Sequence, residues 1–347
     1  MSINEEIIVP VFQKLVKYKP KLAALLPDDD EEIEIHKLKN EIIEGFPYPI
    51  GVEFRRLFSP GCDALNQERL SQILKIVERT VQFLAFTLLA QLLEESGKRE
   101  LIYPDDARFK QEFPSSVKML TLGTYIWLIE ALGQIFTANQ IAPFIPEMEP
   151  MLTKKFTGKL QPWRQIRNKI SHFLINLNQE EIQKLCQAFQ NDLIKVCEDI
   201  AFFVKYPLIT IRDIKVDKRR GKPAQFVHAI TRLPDFADKH RSYHAYTENH
   251  AVLLLKDIKD APAAYLNLSP LIIDTHTETL DTPEKKKNIK MDLFMYSKYT
   301  PCGADAIRLY YVGTEVDEDE CDMRNLSCYA QLVEEFQEYC ARFGEKS

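Results

Sequence analysis

Apolar residues in the first 205 positions recur every three or four residues, the spacing of one helix face. The pattern predicts a long helix over residues 66–97, ended by Gly97 in the usual C-terminal role. A second helix is expected over 115–137, after Pro114, with Met119, Leu122, Ile126, Ile129 and Leu132 along one side. A third is expected over 161–173, after Gly158, with Pro162 near its start where a missing N–H does no harm. A fourth, over 178–205, opens on Asn-Gln-Glu-Glu, an N-cap followed by acids in the first turn. Its inward stripe reads Ile182, Leu185, Phe189, Leu193, Val196, Ile200 and Phe203.

The texture changes after Tyr206-Pro207. Residues 208–216, 226–231, 251–255, 265–273, 289–296 and 307–312 are short and β-rich, with turn or charged residues between them. Residues 325–343 close the chain as an amphipathic helix. The expectation is a multidomain α and α+β protein: an all-α helical bundle, then a smaller β-rich α+β domain made of a sheet with a packed helix. The expected boundaries are 1–65, a helical extension or part of the bundle; 66–206, the helical domain; and 207–347, the α+β domain. No solenoid repeat is visible.

With 347 residues, 45% of them hydrophobic, the chain can fill one large core or two ordinary ones. The net charge of −6 disfavours general coating of duplex DNA or of a membrane surface, while leaving room for a local basic cleft. Seven widely spaced cysteines, with no CxxC pair, point to reduced thiols in a cytoplasmic protein rather than to a disulfide framework or a zinc ribbon. Glu5 and Glu6, and the lack of a small-residue cleavage site, argue against a signal peptide. The most apolar run, 80–93, contains Gln82 and Gln91 and falls short of the roughly 20 residues a membrane span needs. It reads as a buried core helix, and no membrane association is expected.

Candidate chemistry concentrates in Gln161-Pro-Trp-Arg-Gln-Ile-Arg-Asn-Lys-Ile-Ser-His-Phe173. On a helix, Arg164, Asn168 and His172 are four apart and share a face, with Arg167 and Ser171 in the next row. Trp163, Ile166, Ile170 and Phe173 make the apolar side. This set suits phosphodiester cleavage in RNA without a metal or any other cofactor. An arginine fork can hold the scissile phosphate and stabilise charge on its oxygens. A histidine, with an ordinary pKa near about 6.5, can take the ribose 2′-OH proton or supply one to the leaving oxygen. Asn168 can orient that imidazole or hold a phosphate oxygen. Cleavage wants both an acid and a base, and one chain offers one histidine here. The chemistry therefore implies two opposed copies, and two-fold interfaces are the commonest kind.

Arg167-Asn168-Lys169-Ile170-Ser171-His172 resembles the Arg-polar-x-x-x-His signature of the HEPN family, and like that signature it precedes a long closing helix. The resemblance covers roughly residues 66–205. It implies an all-α bundle and a metal-independent endoribonuclease with a composite site at a homodimer interface, yielding a 2′,3′-cyclic phosphate. Arg167, Asn168 and His172 would be catalytic, and Arg164 and Lys169 would help to bind RNA. Family members often act as toxins or antiviral-defence effectors, so a restraining antitoxin or regulatory partner is also implied. HEPN-like bundles can instead be catalytically silent binding or dimerisation modules that act as regulators or sensors, and Arg167 and His172 also fit an ordinary exposed helix face.

Other features are weaker. Asp217-Lys218-Arg219-Arg220-Gly221-Lys222 reads as a solvated loop, or as a phosphate-backbone contact through Arg219 and Arg220. Asp28-Asp29-Asp30-Glu31-Glu32 and residues 315–322 read as acidic surface loops. His240, His244 and His250 form a cluster in and just after the polar stretch 238–249, which is expected to be a loop with solvated histidines rather than a metal site. His228 and His276 carry no assigned role. Tyr296, Tyr299, Tyr310 and Tyr311 are expected in the core and rim of a sheet rather than in a base-stacking platform. Neither a glycine-rich phosphate loop nor a GxSxG elbow is present.

Overall fold

The computed structural model describes residues 2–26, 34–104, 106–173, 177–233, 238–243, 245, 247–248, 250–257, 264–277, 292–302, 307–315, 321–326 and 328–343. For residues 106, 107, 170–173, 238, 277 and 325 the description covers the backbone alone. The acidic run 28–32 falls outside the described residues, as do 316–320, His244 and the first part of the expected strand 289–296.

The N-terminal region is helical, and two antiparallel sheets lie in the C-terminal part. The chain divides into two compact units: Met1–Val81 with Leu160–Pro207 and Leu233–Asp235, and Gln82–Lys159 with Leu208–Arg232 and Phe236–Ser347. The break between Pro207 and Leu208 falls one residue from the boundary expected at 206/207, whereas no break falls at 65/66. Residues 1–65 share a unit with the first part of the long helix, while 82–159 are grouped with the β-rich part.

The first unit contains α1 (Glu5–Tyr18), α2 (Ile35–Gly45) and α3 (Tyr48–Leu57). It also contains the opening of α4 (Gln67–Lys98), most of α7 (Lys154–Phe173) and α8 (Gln179–Ile200). The helices α2 and α3 meet closely at Gly51, where a Cβ would collide with the Ile43 carbonyl. The start of α4 is fixed by the Asn66 side chain, which accepts the Arg69 N–H at 2.8 Å. The Asn-Gln-Glu-Glu signal is realised in full: Asn178 Oδ1 accepts from Glu181 N and the Glu181 carboxylate accepts from Asn178 N, both at 2.9 Å. The helix α8 then gives way at Ala201–Lys205 to a tighter turn of 3₁₀ type.

The run 80–93 is a buried stretch of α4, as expected. Its two glutamines serve as tie points. Gln82 donates to the Tyr296 carbonyl at 3.1 Å, and Gln91 donates to the Ala142 carbonyl and accepts from Phe144 N at 2.8 and 2.7 Å. Each amide thus satisfies backbone groups that burial would otherwise leave unpaired.

Several helix boundaries differ from the sequence reading: α4 runs through Gly97 to Lys98 instead of ending at that glycine, which does not adopt a positive φ, α8 ends at Ile200, and two further cases have a visible cause. The single helix expected over 115–137 is two, α5 (Asp106–Lys118) and α6 (Leu122–Ala138), with Pro114 inside the first. Phe109, Phe113 and Val117 form the buried stripe that carries α5 through the proline. Leu120 N then bonds the Ser297 carbonyl at 3.0 Å, so Met119 and Leu120 extend a sheet edge, and Met119 is exposed. Likewise α7 starts at Lys154, not at Gln161, because Phe156 and Leu160 continue the buried face of Trp163 and Ile166 backwards. The bond lost at Pro162 would have gone to the Gly158 carbonyl; Gly158 is exposed, so water can serve that carbonyl.

The sheets belong to the second unit. One has the order β3-β2-β1-β4-β5, from β1 (Leu208–Asp217), β2 (Gln225–Arg232), β3 (Asp238–Tyr243), β4 (Val252–Leu255) and β5 (Tyr265–Asn267). Ile209, Ile211, Ile230, Leu253 and Leu255 form its core. The other has the order β6-β7-β8-β9, from β6 (Ile272–Asp274), β7 (Leu293–Pro301), β8 (Ile307–Gly313) and β9 (Cys321–Asp322). The expected strand 265–273 therefore feeds both sheets, leaving the first after Asn267 and joining the second at Ile272. The helix α9 (Tyr329–Phe343) sets Phe336 against Tyr296 at 4.5 Å between ring centres.

Candidate functional site

On α7 the expected division of faces holds wherever side chains are described. Trp163 and Ile166 are buried, and Trp163 meets Phe189 of α8 edge-on at 4.7 Å. Arg164, Asn168 and Lys169 are exposed. Arg167 lies half-exposed at their side, with its guanidinium 3.5 Å from the Glu78 carboxylate of α4. The backbone of Ser171 and His172 belongs to the helix, while both side chains lie outside the described residues. Arg164 and Asn168, four apart, thus share an exposed row of this helix with Arg167 half-exposed beside it, while Lys169, exposed as well, is two positions from Arg167 and belongs to a different side.

Arg219 and Arg220 belong to the second unit, in the turn between β1 and β2. Both are exposed; Arg219 pairs with Asp217 at 3.6 Å, and Lys218 donates to the Lys222 carbonyl at 2.7 Å. Gly221 sits there at φ +74°, a conformation glycine adopts without strain.

Glu78 is the residue that sequence reasoning missed. It is 89 positions from Arg167 in a chain where both read as surface charges on separate helices. Only its place on the outer side of α4 hinted that it was free to face another helix.

The histidine stretch is corrected. Residues 238–243, expected as loop, form β3, with His240 opposite Ala229 of β2. An edge strand needs only one partner, so its alternation of charged and polar residues is tolerated on the open side. His240 and His250 are exposed, and His250 adopts φ +57°. Among the described residues no three histidine, cysteine or acidic side chains converge as a metal-binding group. His228 is fully buried: its Nδ1 lies 3.0 Å from the Phe226 carbonyl and its Nε2 accepts from Thr247 N at 3.3 Å. Those bonds fix one neutral tautomer, and burial pushes its pKa down.

Thiol nucleophiles have little support within the cores. Cys186 is pushed up to about 11 by burial, and burial also raises Cys197. Tyr296 and Tyr311 are buried core residues, donating to the Val117 and Pro270 carbonyls at 2.6 and 2.7 Å. No described helix is long and apolar enough to cross a membrane. No protein-family model, no curated protein and no solved structure matches this chain.

Proposed function

We propose that the chain is a metal-independent endoribonuclease of HEPN type whose site is completed by a second copy. The observation that carries this reading is the outer surface of α7, where Arg164 and Asn168 share an exposed row with Arg167 beside it while Trp163 and Ile166 are buried. In this reading Arg167 clamps the scissile phosphate and steadies charge on its oxygens. Asn168 orients the histidine or a phosphate oxygen, and Arg164 and Lys169 hold the flanking backbone. His172 of one copy takes the proton from the 2′-OH, whose oxygen attacks phosphorus. His172 of the other copy protonates the departing 5′ oxygen. The products are a 2′,3′-cyclic phosphate and a 5′-hydroxyl. Arg219 and Arg220, exposed in the second unit, would contact phosphate backbone, with Arg219 leaving its pair with Asp217. A role as a toxin or antiviral effector, restrained by a partner protein, follows by family analogy.

The test is incubation of the purified protein with RNA in EDTA. Cleavage is expected to survive the chelator and to disappear in His172→Ala. Loss of wild-type cleavage in EDTA would sink the assignment.

One observation favours a second reading. The Arg167–Glu78 pair at 3.5 Å occupies the guanidinium that the phosphate needs. A silent dimerisation module would keep that pair as structure. Glu78→Gln separates the two: a nuclease retains or gains activity, whereas a silent module shows none in either form and still sediments as a dimer.

A further inference from the structure

The second unit encloses a cavity of about 820 Å³, bounded by the end of α4, the segment entering β4, the segment around β6, and α9. That volume falls in the range of roughly 300–1,000 Å³ typical of small-molecule sites. It is far more than a bare metal ion fills. Leu93, Ile273 and Leu332 give it apolar wall, and Glu94, Glu248 and Glu335 bring carboxylates from three separate parts of the chain. Of the other charged groups in the lining, Arg342 pairs with Glu338 at 2.6 Å, and Asp274 Oδ1 lies 2.8 Å from His276 Nδ1. The bonds of the three glutamates run to neutral groups. Glu94 accepts from Asn267 N at 3.3 Å, Glu335 accepts from the Gln331 amide at 2.9 Å, and Glu248 accepts from the Tyr265 hydroxyl.

We propose that this cavity binds a linear aliphatic polyamine, with its ammonium groups on Glu94, Glu248 and Glu335 and its methylene segments along Leu93, Ile273 and Leu332. The arrangement fits such a ligand on two counts. Three carboxylates in one lining, with Glu94 and Glu248 near enough to repel each other, ask for more than one positive charge. The apolar side chains in the same lining suit short hydrocarbon links and give nothing to a hydrated inorganic cation. Burial pushes the Glu94 and Glu335 carboxyls up, so ionising them in the empty cavity is costly. An ammonium group brought against each removes that cost. The proposal concerns the second unit alone and stands whether or not the chain cleaves RNA.

The test is calorimetric titration of the full chain with spermidine at physiological salt. Saturable one-to-one binding is expected. The double variant Glu94→Gln/Glu335→Gln should weaken it at least tenfold, while Glu180→Gln, an exposed acid on α8, leaves it unchanged. Circular dichroism shows whether the variants are folded. In a second arm on the wild type, 1,8-diaminooctane should displace spermidine and 1,8-octanediol should not. No saturable binding by the wild type overturns the proposal. So does equal weakening by Glu180→Gln, which would mark general attraction to an acidic protein. Displacement by the uncharged diol would show that the carboxylates are not the recognition element.

Discussion

The two units differ in how completely they answer buried charge. In the first, each deeply buried ion is answered from within. Arg69 is fully buried, and its guanidinium makes five hydrogen bonds at 2.6–3.1 Å, to Gln190, Asn4, and the Cys62 and Ile3 carbonyls. Glu53, also buried, takes Gln72 at 2.7 Å and Arg56 at 3.2 Å, with Arg79 at 3.7 Å. In the second unit Asp292 is answered just as fully, by Thr314, Leu293 N and Glu315 N at 2.6–2.7 Å. Glu94 and Glu335, however, sit partly buried at a cavity with one neutral donor each. Satisfied ions of the first kind specify a packing. Carboxyls of the second kind cost stability and are best explained by what they can bind from outside.

The largest expected effect lies at Arg69. Arg69→Met keeps much of the bulk but strands Gln190, Asn4 and two carbonyls, and should cost about 3–5 kcal/mol. The chain's two tryptophans, Trp127 in the second unit and Trp163 in the first, allow the loss to be located. In urea titrations of Trp127→Phe and Trp163→Phe backgrounds, the transition reported by Trp163 should fall further than that reported by Trp127. Equal shifts would mean that the units unfold together, and the contrast between them would lose its energetic meaning.

The cavity carboxyls should act with the opposite sign and a smaller size. The folded state holds protons on Glu94 and Glu335 more tightly than the unfolded chain does, where a carboxyl titrates near its ordinary 4.5. Their favourable contribution is therefore complete below that value and is lost as pH rises through the raised folded values. Glu94→Gln or Glu335→Gln, which keeps the bond from Asn267 N or Gln331, should stabilise the second unit at pH 8 by no more than about 1 kcal/mol, since both carboxyls are partly exposed and screened by water, and change little at pH 4. Urea midpoints read from Trp127 at the two pH values check this. Destabilisation at pH 8 would show that these carboxylates support the fold, and the trade between stability and binding argued for the cavity would fail.

What the sequence could announce in advance follows the same division. Local rules were legible: the box at Asn178 and Glu181, the stripe of α8, the apolar run of α4 and the inward side of α7 all depend on neighbours a few residues away. Failures came where distant partners decide. Pro114 and Pro162 sit inside helices because Phe113 with Val117, and Phe156 with Leu160, bury a continuous face that outweighs one missing bond. The polar stretch at His240 is a strand because β2 offers it an edge. Gln190, outside the apolar stripe of α8, is the buried acceptor for Arg69. At the candidate site, the outward row of Arg164 and Asn168 was legible from helical spacing, while the Glu78 partner of Arg167 was not, since nothing local links α4 to α7.

The smallest expected effect is the exposed counterpart of Arg69 within the same unit. Glu198 of α8 lies 2.9 Å from Lys14 and 3.2 Å from Lys17 of α1, and the hydrogen bonds from these two lysines hold its carboxyl below the usual range. The sign is the reverse of that at the cavity: the contribution is present above the ordinary carboxyl value and lost as pH falls through the depressed one. Glu198 is almost half exposed, so water and salt screen most of the attraction. Glu198→Gln should therefore cost no more than about 0.5 kcal/mol in low salt at pH 7. The cost should fade toward zero in molar salt or at pH 3. The same Trp163 titration reads it. A loss that approached that of Arg69→Met, or that persisted in high salt, would show that burial is not what separates strong from weak polar contacts in this unit. The comparison with the cavity glutamates would then need another basis.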